Sequence, residues 1–282
     1  MIEKRAYLME FGARKPKEQF LRKLIDRLAM CRYNELFLLR PAGVPERVAD
    51  YARMKGIEVK SVEEIEALLR DSTVWVSTMA ERSLAGRLEE LRERMLAAAL
   101  KAKAEKAKRF LVVDRSDGYD WQAPIVSLPG LVMGGYMASV GPSAAKMDLE
   151  HELGLFLDAP VAGHLLRLGT LYLRGGAVRE DASEFFNILS SDCGYSRHPG
   201  LTDGVLAEVS TILRGMMTEL ERYAKRSLSA RELLYTALLL DAACHRRSEA
   251  RLRTIREEFA RMWQANFEAD GCLAAQARFP RF

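Results

Sequence analysis

Five short apolar runs fill the first half of the chain, and the stretches between them have the length and pattern of amphipathic helices. Parallel strands cannot be joined by a tight turn and need a crossover, so this alternation is the signature of parallel β/α units. The strands are expected at 5–11 (RAYLMEF), 34–39 (NELFLL), 57–59, 73–78 and 110–114 (FLVVD). Between the first two, Phe20, Leu21, Leu24, Ile25 and Leu28 form one stripe of a helix over 16–32, with Pro16 near its first turn. A second helix opens at Pro45 and stops at Gly56, which suits a left-handed C-terminal position. Helices over 62–70 and 84–108 complete the pattern, the longer one rich in Ala, Leu, Glu and Arg.

After about Gly141 the apolar periodicity turns helical and no further strand is expected. The chain thus divides into an α/β domain over 1–141 and a helical domain over 142–282. Turns in the second are marked by Gly175-Gly176, the loop 192–204 and Gly271.

Composition removes several classes of function. With 43 Lys and Arg against 39 Asp and Glu, the net charge of +4 is too small to indicate nucleic acid. The basic run from Lys101 to Arg109 is interleaved with alanines and reads as a solvated helix face. Cys31, Cys193, Cys244 and Cys272 are scattered, and His151, His164, His198 and His245 lack partners at ligand spacing, so neither a disulfide framework nor a metal or cofactor is expected. Gly134-Gly135 and Gly175-Gly176 are bare pairs without a phosphate-loop fingerprint. No apolar stretch approaches the roughly 20 residues of a membrane span, and the charged N-terminus lacks a signal-length run, so a cytoplasmic location is expected.

Several blocks, in order, resemble one family. Arg5-Ala6-Tyr7-Leu8-Met9-Glu10, then Gly12-Ala13-Arg14, then Arg32-Tyr33-Asn34 leading into Glu35-Leu36-Phe37-Leu38-Leu39, follow the spacing of a family's first two barrel strands; Leu39 and Arg40 stand where that family has a histidine. Residues 49–59 (ADYARMKGIEV) match its next helix and third strand. Val74-Trp75-Val76-Ser77-Thr78-Met79-Ala80-Glu81-Arg82-Ser83, with Gly86-Arg87, matches its Ser-Trp-Asn-Ser segment. Asp114-Arg115-Ser116-Asp117-Gly118-Tyr119-Asp120-Trp121-Gln122, with Leu128-Pro129-Gly130, matches its Asp-Trp-Gly-Asp block, and Met262-Trp263-Gln264-Ala265-Asn266 with Gly271 its close. The chain therefore resembles the family-20 glycoside hydrolases, the β-N-acetylhexosaminidases, in a shortened form.

The resemblance implies a (β/α) barrel, but a full barrel takes roughly 250 residues and eight strands. With about five parallel strands, this chain is expected to form a partial barrel followed by helices. Family members hydrolyse N-acetylhexosaminides with an adjacent Asp-Glu pair after the fourth barrel strand, the Glu as general acid and the Asp supporting attack by the substrate's acetamido oxygen. Here only residues 60–73 separate the third-strand match from the next block, so that pair is absent and no catalytic residue is assigned. Glu63-Glu64 and Glu89-Glu90 sit in amphipathic helix patterns and read as solvated faces.

The family's pocket tryptophans fall at Glu81 and Arg115, whereas Arg5 and Asp117 match its sugar-gripping arginine and acid. Arg5, Asp117, Asp114, Trp121 and Glu81 are accordingly the candidate substrate-binding residues. Arg5 and Asp117 could equally pair with each other, and Tyr119 and Trp121 could line a pocket or an interface. Three functions stay open: a non-catalytic glycan-binding or assembly module, an active glycosidase drawing on Asp114, Asp117, Asp120 or Glu81, or a scaffold built on the helices of 144–282. Exposed sheet edges further lead us to expect a homodimer or a complex with a full-length paralogue.

Overall fold

A computed structural model of the chain describes residues 2–39, 43–69, 73–176, 182–190, 200–245 and 249–279. Its centre is a five-stranded parallel sheet made of β1 (Lys4–Glu10), β2 (Glu35–Leu39), β3 (Glu58–Val62), β4 (Thr73–Ser77) and β5 (Arg109–Asp114), arranged β3-β2-β1-β5-β4. β1 is central: Leu8 faces Phe37 on one side and Val113 on the other. Its outer partners add β3, with Leu36 beside Val59, and β4, with Val76 beside Val112. All five expected strands are present.

The two faces of the sheet are covered unequally. Tyr7, Met9, Leu36, Leu38, Val74, Val76, Phe110 and Val112 join the main core, together with the apolar stripes of α1 (Glu18–Met30), α2 (Glu46–Met54), α3 (Leu88–Ala104) and α4 (Leu128–Val140). Alternate residues point the other way, as the period of two in a strand requires. Ala6, Leu8, Phe37, Leu39, Leu111 and Val113 form a separate small cluster with Ile65 and Leu68.

Two expected helices take other forms. In place of a helix over 62–70, β3 runs on to Val62 beside Leu39, and Ile65–Ala67 makes a single 3-10 turn. The demand for cover on the second face wins over helical periodicity there, drawing Ile65 and Leu68 onto Leu8 and Leu111. The long helix begins at Leu88, not 84, because Leu84 adopts a left-handed φ of 67° that no α-helix accommodates.

Helix also appears earlier than expected, with α4 starting at Leu128. α4 lies so close to the sheet that a Cβ on Gly134 would sit 2.3 Å from Val112 Cγ2. Beyond it follow α5 (Leu149–Gly154), α6 (Ala159–Leu168), α7 (Glu184–Ser190), α8 (Asp203–Ala224), α9 (Leu228–Cys244), α10 (Glu249–Asn266) and α11 (Cys272–Ala277). Three residues join α8 to α9, which makes them antiparallel neighbours.

The core continues across Gly141 without a break, from Tyr7 to Phe279, and aromatic rings tie the two halves together. Phe20 of α1 lies 5.3 Å from Phe267, and Trp121 stacks on Phe279 at 5.1 Å with planes 6° apart. No helix among the described residues is long and apolar enough to cross a membrane. Arg40, Cys193, His198 and most of the expected 192–204 loop lie outside the described residues.

Candidate functional site

In a parallel sheet the loops leaving the carboxyl ends of the strands gather on one side and carry the chemistry. The loops after β1, β4 and β5 meet there. After β5, the buried carboxylate of Asp117 accepts backbone N–H bonds from Tyr119 (2.8 Å), Asp120 (2.5 Å) and Gln122 (3.1 Å), and so is consumed in shaping its own loop. Burial raises its pKa, with the Arg14 charge and the backbone donors pulling the other way.

Asp120 joins this loop to the one after β1. Its carboxylate accepts from Ser116 Oγ (2.9 Å) and the Ala13 N–H (3.3 Å) and lies 3.5 Å from Arg14 Nε. Gly12 takes a φ of 60° there, and a Cβ on it would fall 2.3 Å from Asp120 Oδ1. The Gly12-Ala13-Arg14 and Asp117-to-Gln122 blocks are thus brought together in space.

Asp114 is equally committed. Tyr7 (2.9 Å), Ser127 (2.7 Å) and Thr78 (3.3 Å) all donate hydroxyl hydrogens to its buried carboxyl, and Gln122 Nε2 backs Ser127 at 3.0 Å. Burial raises its pKa against the lowering effect of those bonds. A cavity of about 50 Å³ adjoins it, lined among others by Arg27, Glu232 and Asn266. A water needs roughly 10–15 Å³ by this measure, so the cavity has room for a few waters and not for a sugar. Glu232, in α9, accepts from Ile125 N (3.0 Å) and Asn266 Nδ2 (2.7 Å), which locks the helical half to the loop after β5.

Trp121 is a core residue and no pocket wall: it is fully buried among Tyr119, Phe186 and Phe279. Arg5 and Asp117 do not share an end of the sheet, so the alternative in which they pair with each other is not met. Arg5 is the second residue of β1, four residues before the Met9 that faces Asp114, or about 13 Å along the strand. Its guanidinium donates to the carbonyls of Arg32 and Ile2, and its backbone is held by Asn34.

Next to these committed residues a groove of about 420 Å³ runs along the outer side of β4, between that strand and α3. Glu81 and Arg115 stand at its carboxyl end and Lys101 farther along α3, with Trp75 exposing 45% of its surface to it. Glu81 is half-buried; desolvation raises its pKa, opposed by the charges of Arg115 and Arg87, and Ser77 Oγ donates to it at 3.4 Å. A half-buried acid with a raised pKa in a cleft is a recognised mark of a functional site.

The loop feeding this groove is strained. Met79, Arg82 and Leu84 all have left-handed φ values of 53–67°, each costing about 1–2 kcal/mol in an L-residue. Bonds from Arg87 N to the Met79 carbonyl (3.0 Å) and from Ser183 N to the Arg82 carbonyl (2.9 Å) hold it in place. Strain kept up in this way clusters at binding and catalytic sites.

Of the five residues marked in the sequence, then, only Glu81 faces an open groove. Trp75 and Arg87 lie in a matched block without an expected site role, and nothing in the residues around them signals that one is exposed and the other buried. A scan against family models and a search of curated proteins both return no match.

Proposed function

We propose that this chain is a five-strand arc of a (β/α) barrel of family-20 glycoside hydrolase type, without that family's catalysis, acting as a carbohydrate-binding module. The strand order carries the reading. Taken from one edge it runs 4-5-1-2-3, which is the cyclic order of a barrel interrupted between β3 and β4. That interruption coincides with the gap in the sequence match where three strands and the Asp-Glu pair would stand. The placement of α1 to α4 in one core against one face supports the same reading, since barrels keep their helices outside and doubly wound sheets cover both faces.

Loss of catalysis is supported by the state of the acids. Asp114, Asp117 and Asp120 are each committed to three or more protein contacts, which leaves Glu81 as the carboxylate lining the groove among the described residues. A chromogenic N-acetylglucosaminide should show no turnover above background from the purified chain. Turnover that disappears in Glu81→Gln would instead establish an active glycosidase with Glu81 as its acid. An assembly role is a second reading, favoured by β3 and β4, each of which has a strand neighbour on one side only among the described residues.

A further inference from the structure

We infer that the groove beside β4 binds an acidic sugar, with the acid group held by Arg87 and Arg115 and the sugar ring laid against Trp75. The inference rests on the carbohydrate-binding reading above and adds a location and a sign of charge. Arg87 is the pointer to a ligand: its side chain is 1% exposed, yet Nε and Nη1 have no hydrogen-bond partner. Nη2 lies 3.5 Å from Met79 Sδ, and Nε lies 3.3 Å from Glu90 Oε2, a carboxylate oxygen that is itself buried without a hydrogen bond, which leaves Nη1 with neither a hydrogen bond nor a charged partner. An open donor on a buried guanidinium is costly, and an oxyanion supplies the acceptor it lacks.

The wall around Arg87 selects for negative charge. Arg94 and Lys101, seven residues apart, lie along one side of α3 about 10 Å from each other; Arg87 sits just before the first turn of that helix, and Arg115 lines the same groove from the end of β5. Among the described residues lining the groove, these four cations meet one carboxylate, Glu81. Arg94 is engaged by Glu90 at 2.6 Å, whereas Arg115 has no hydrogen bond or close ion pair among the described residues.

A bare anion would use only half of what the groove offers. The exposed indole of Trp75 presents a flat apolar surface that suits the carbon face of a pyranose. Glu81 offers acceptors for sugar hydroxyls at the carboxyl end, and about 420 Å³ lies within the range of small-molecule sites. Acid, ring face and hydroxyls together describe a sugar acid.

Calorimetric titration of the whole chain with glucuronic acid, glucose, N-acetylglucosamine, inorganic phosphate and a pentaglutamate peptide tests this. Glucuronic acid should bind at least about tenfold more tightly than glucose, and Arg115→Gln should remove that advantage, since a hydrogen bond to a charged group carries at least that factor. Trp75→Ala should weaken glucuronic acid and leave phosphate unaffected. Both side chains are solvent-accessible, so an unchanged urea midpoint will certify each variant's fold. Equal binding of glucose and glucuronic acid, or glucuronic acid binding indifferent to Arg115→Gln, would overturn the acidic assignment and leave the carbohydrate reading standing. Phosphate or pentaglutamate binding as tightly as glucuronic acid would overturn the sugar assignment, and silence from every probe would overturn both.

Discussion

Asp114 ends β5 with its carboxyl buried and, among the described residues, no cation within bonding distance, so desolvation favours the neutral acid against the three hydroxyls that donate to it. Its pKa is raised in the folded protein, so its share of stability is full below the ordinary carboxylate range and is lost as pH rises through the raised value. Asp114→Asn keeps the shape, and hydroxyls can donate to or accept from an amide. The urea midpoint of the variant should therefore gain on the wild type as pH rises above the ordinary carboxylate range; a difference independent of pH would refute the raised pKa. Asp114, Asp117 and Trp121 were legible in the sequence as residues worth marking, but their roles were not. Whether an acid meets solvent or three donors depends on loops more than a hundred residues apart, as with Asp120 and Ala13. Arg5 was misplaced for a related reason: a residue's position within a strand decides which end of the sheet it serves, and a strand's boundaries are soft in sequence.

Elements were easier to read. β1, β2, β4 and β5 are apolar runs and were found within a few residues, because a buried parallel strand must be apolar on both faces, whereas the edge strand β3 (EVKSV) has no buried residue and only its start was legible. The 62–70 stretch misled because Val62, Ile65 and Leu68 have helical spacing, while Val62 pairs with Leu39 and the other two cover the bare face of the sheet. α4 shows the reverse case, where packing is written in small residues whose reason is invisible until the sheet is present. Gly134→Ala would drive a methyl into Val112 and Tyr33, and should cost about 1–3 kcal/mol in urea unfolding. Gly215→Ala, in the middle of α8 with nothing within 4 Å, should stabilise by about 1 kcal/mol. If both substitutions shift the midpoint the same way, the close seat of α4 on β5 is wrong.

At the scale of the whole molecule, the order of the sheet was beyond reach of strand patterns alone, since pairing is a property of partners. Its ends are the consequence: β3 and β4 are both edges, and unpaired edges favour association. Light scattering at micromolar concentration should report a homodimer, and a clean monomer there would remove that expectation. The split into two domains at Gly141 is crossed by a core that includes residues of both halves, so the helices after it are packed against the same frame.

The central place of β1 also governs how the chain assembles. Its neighbour β2 follows within about thirty residues, but its other neighbour, β5, lies about a hundred residues further on, and β4 has no partner until β5 arrives. During synthesis, β1 to β3 can pair as they emerge, while β4 waits exposed through the whole of α3. Contacts spaced this widely close slowly. The segment with most to lose from delay is therefore the strand that walls the groove, left as a sticky, unpaired ribbon in the nascent chain.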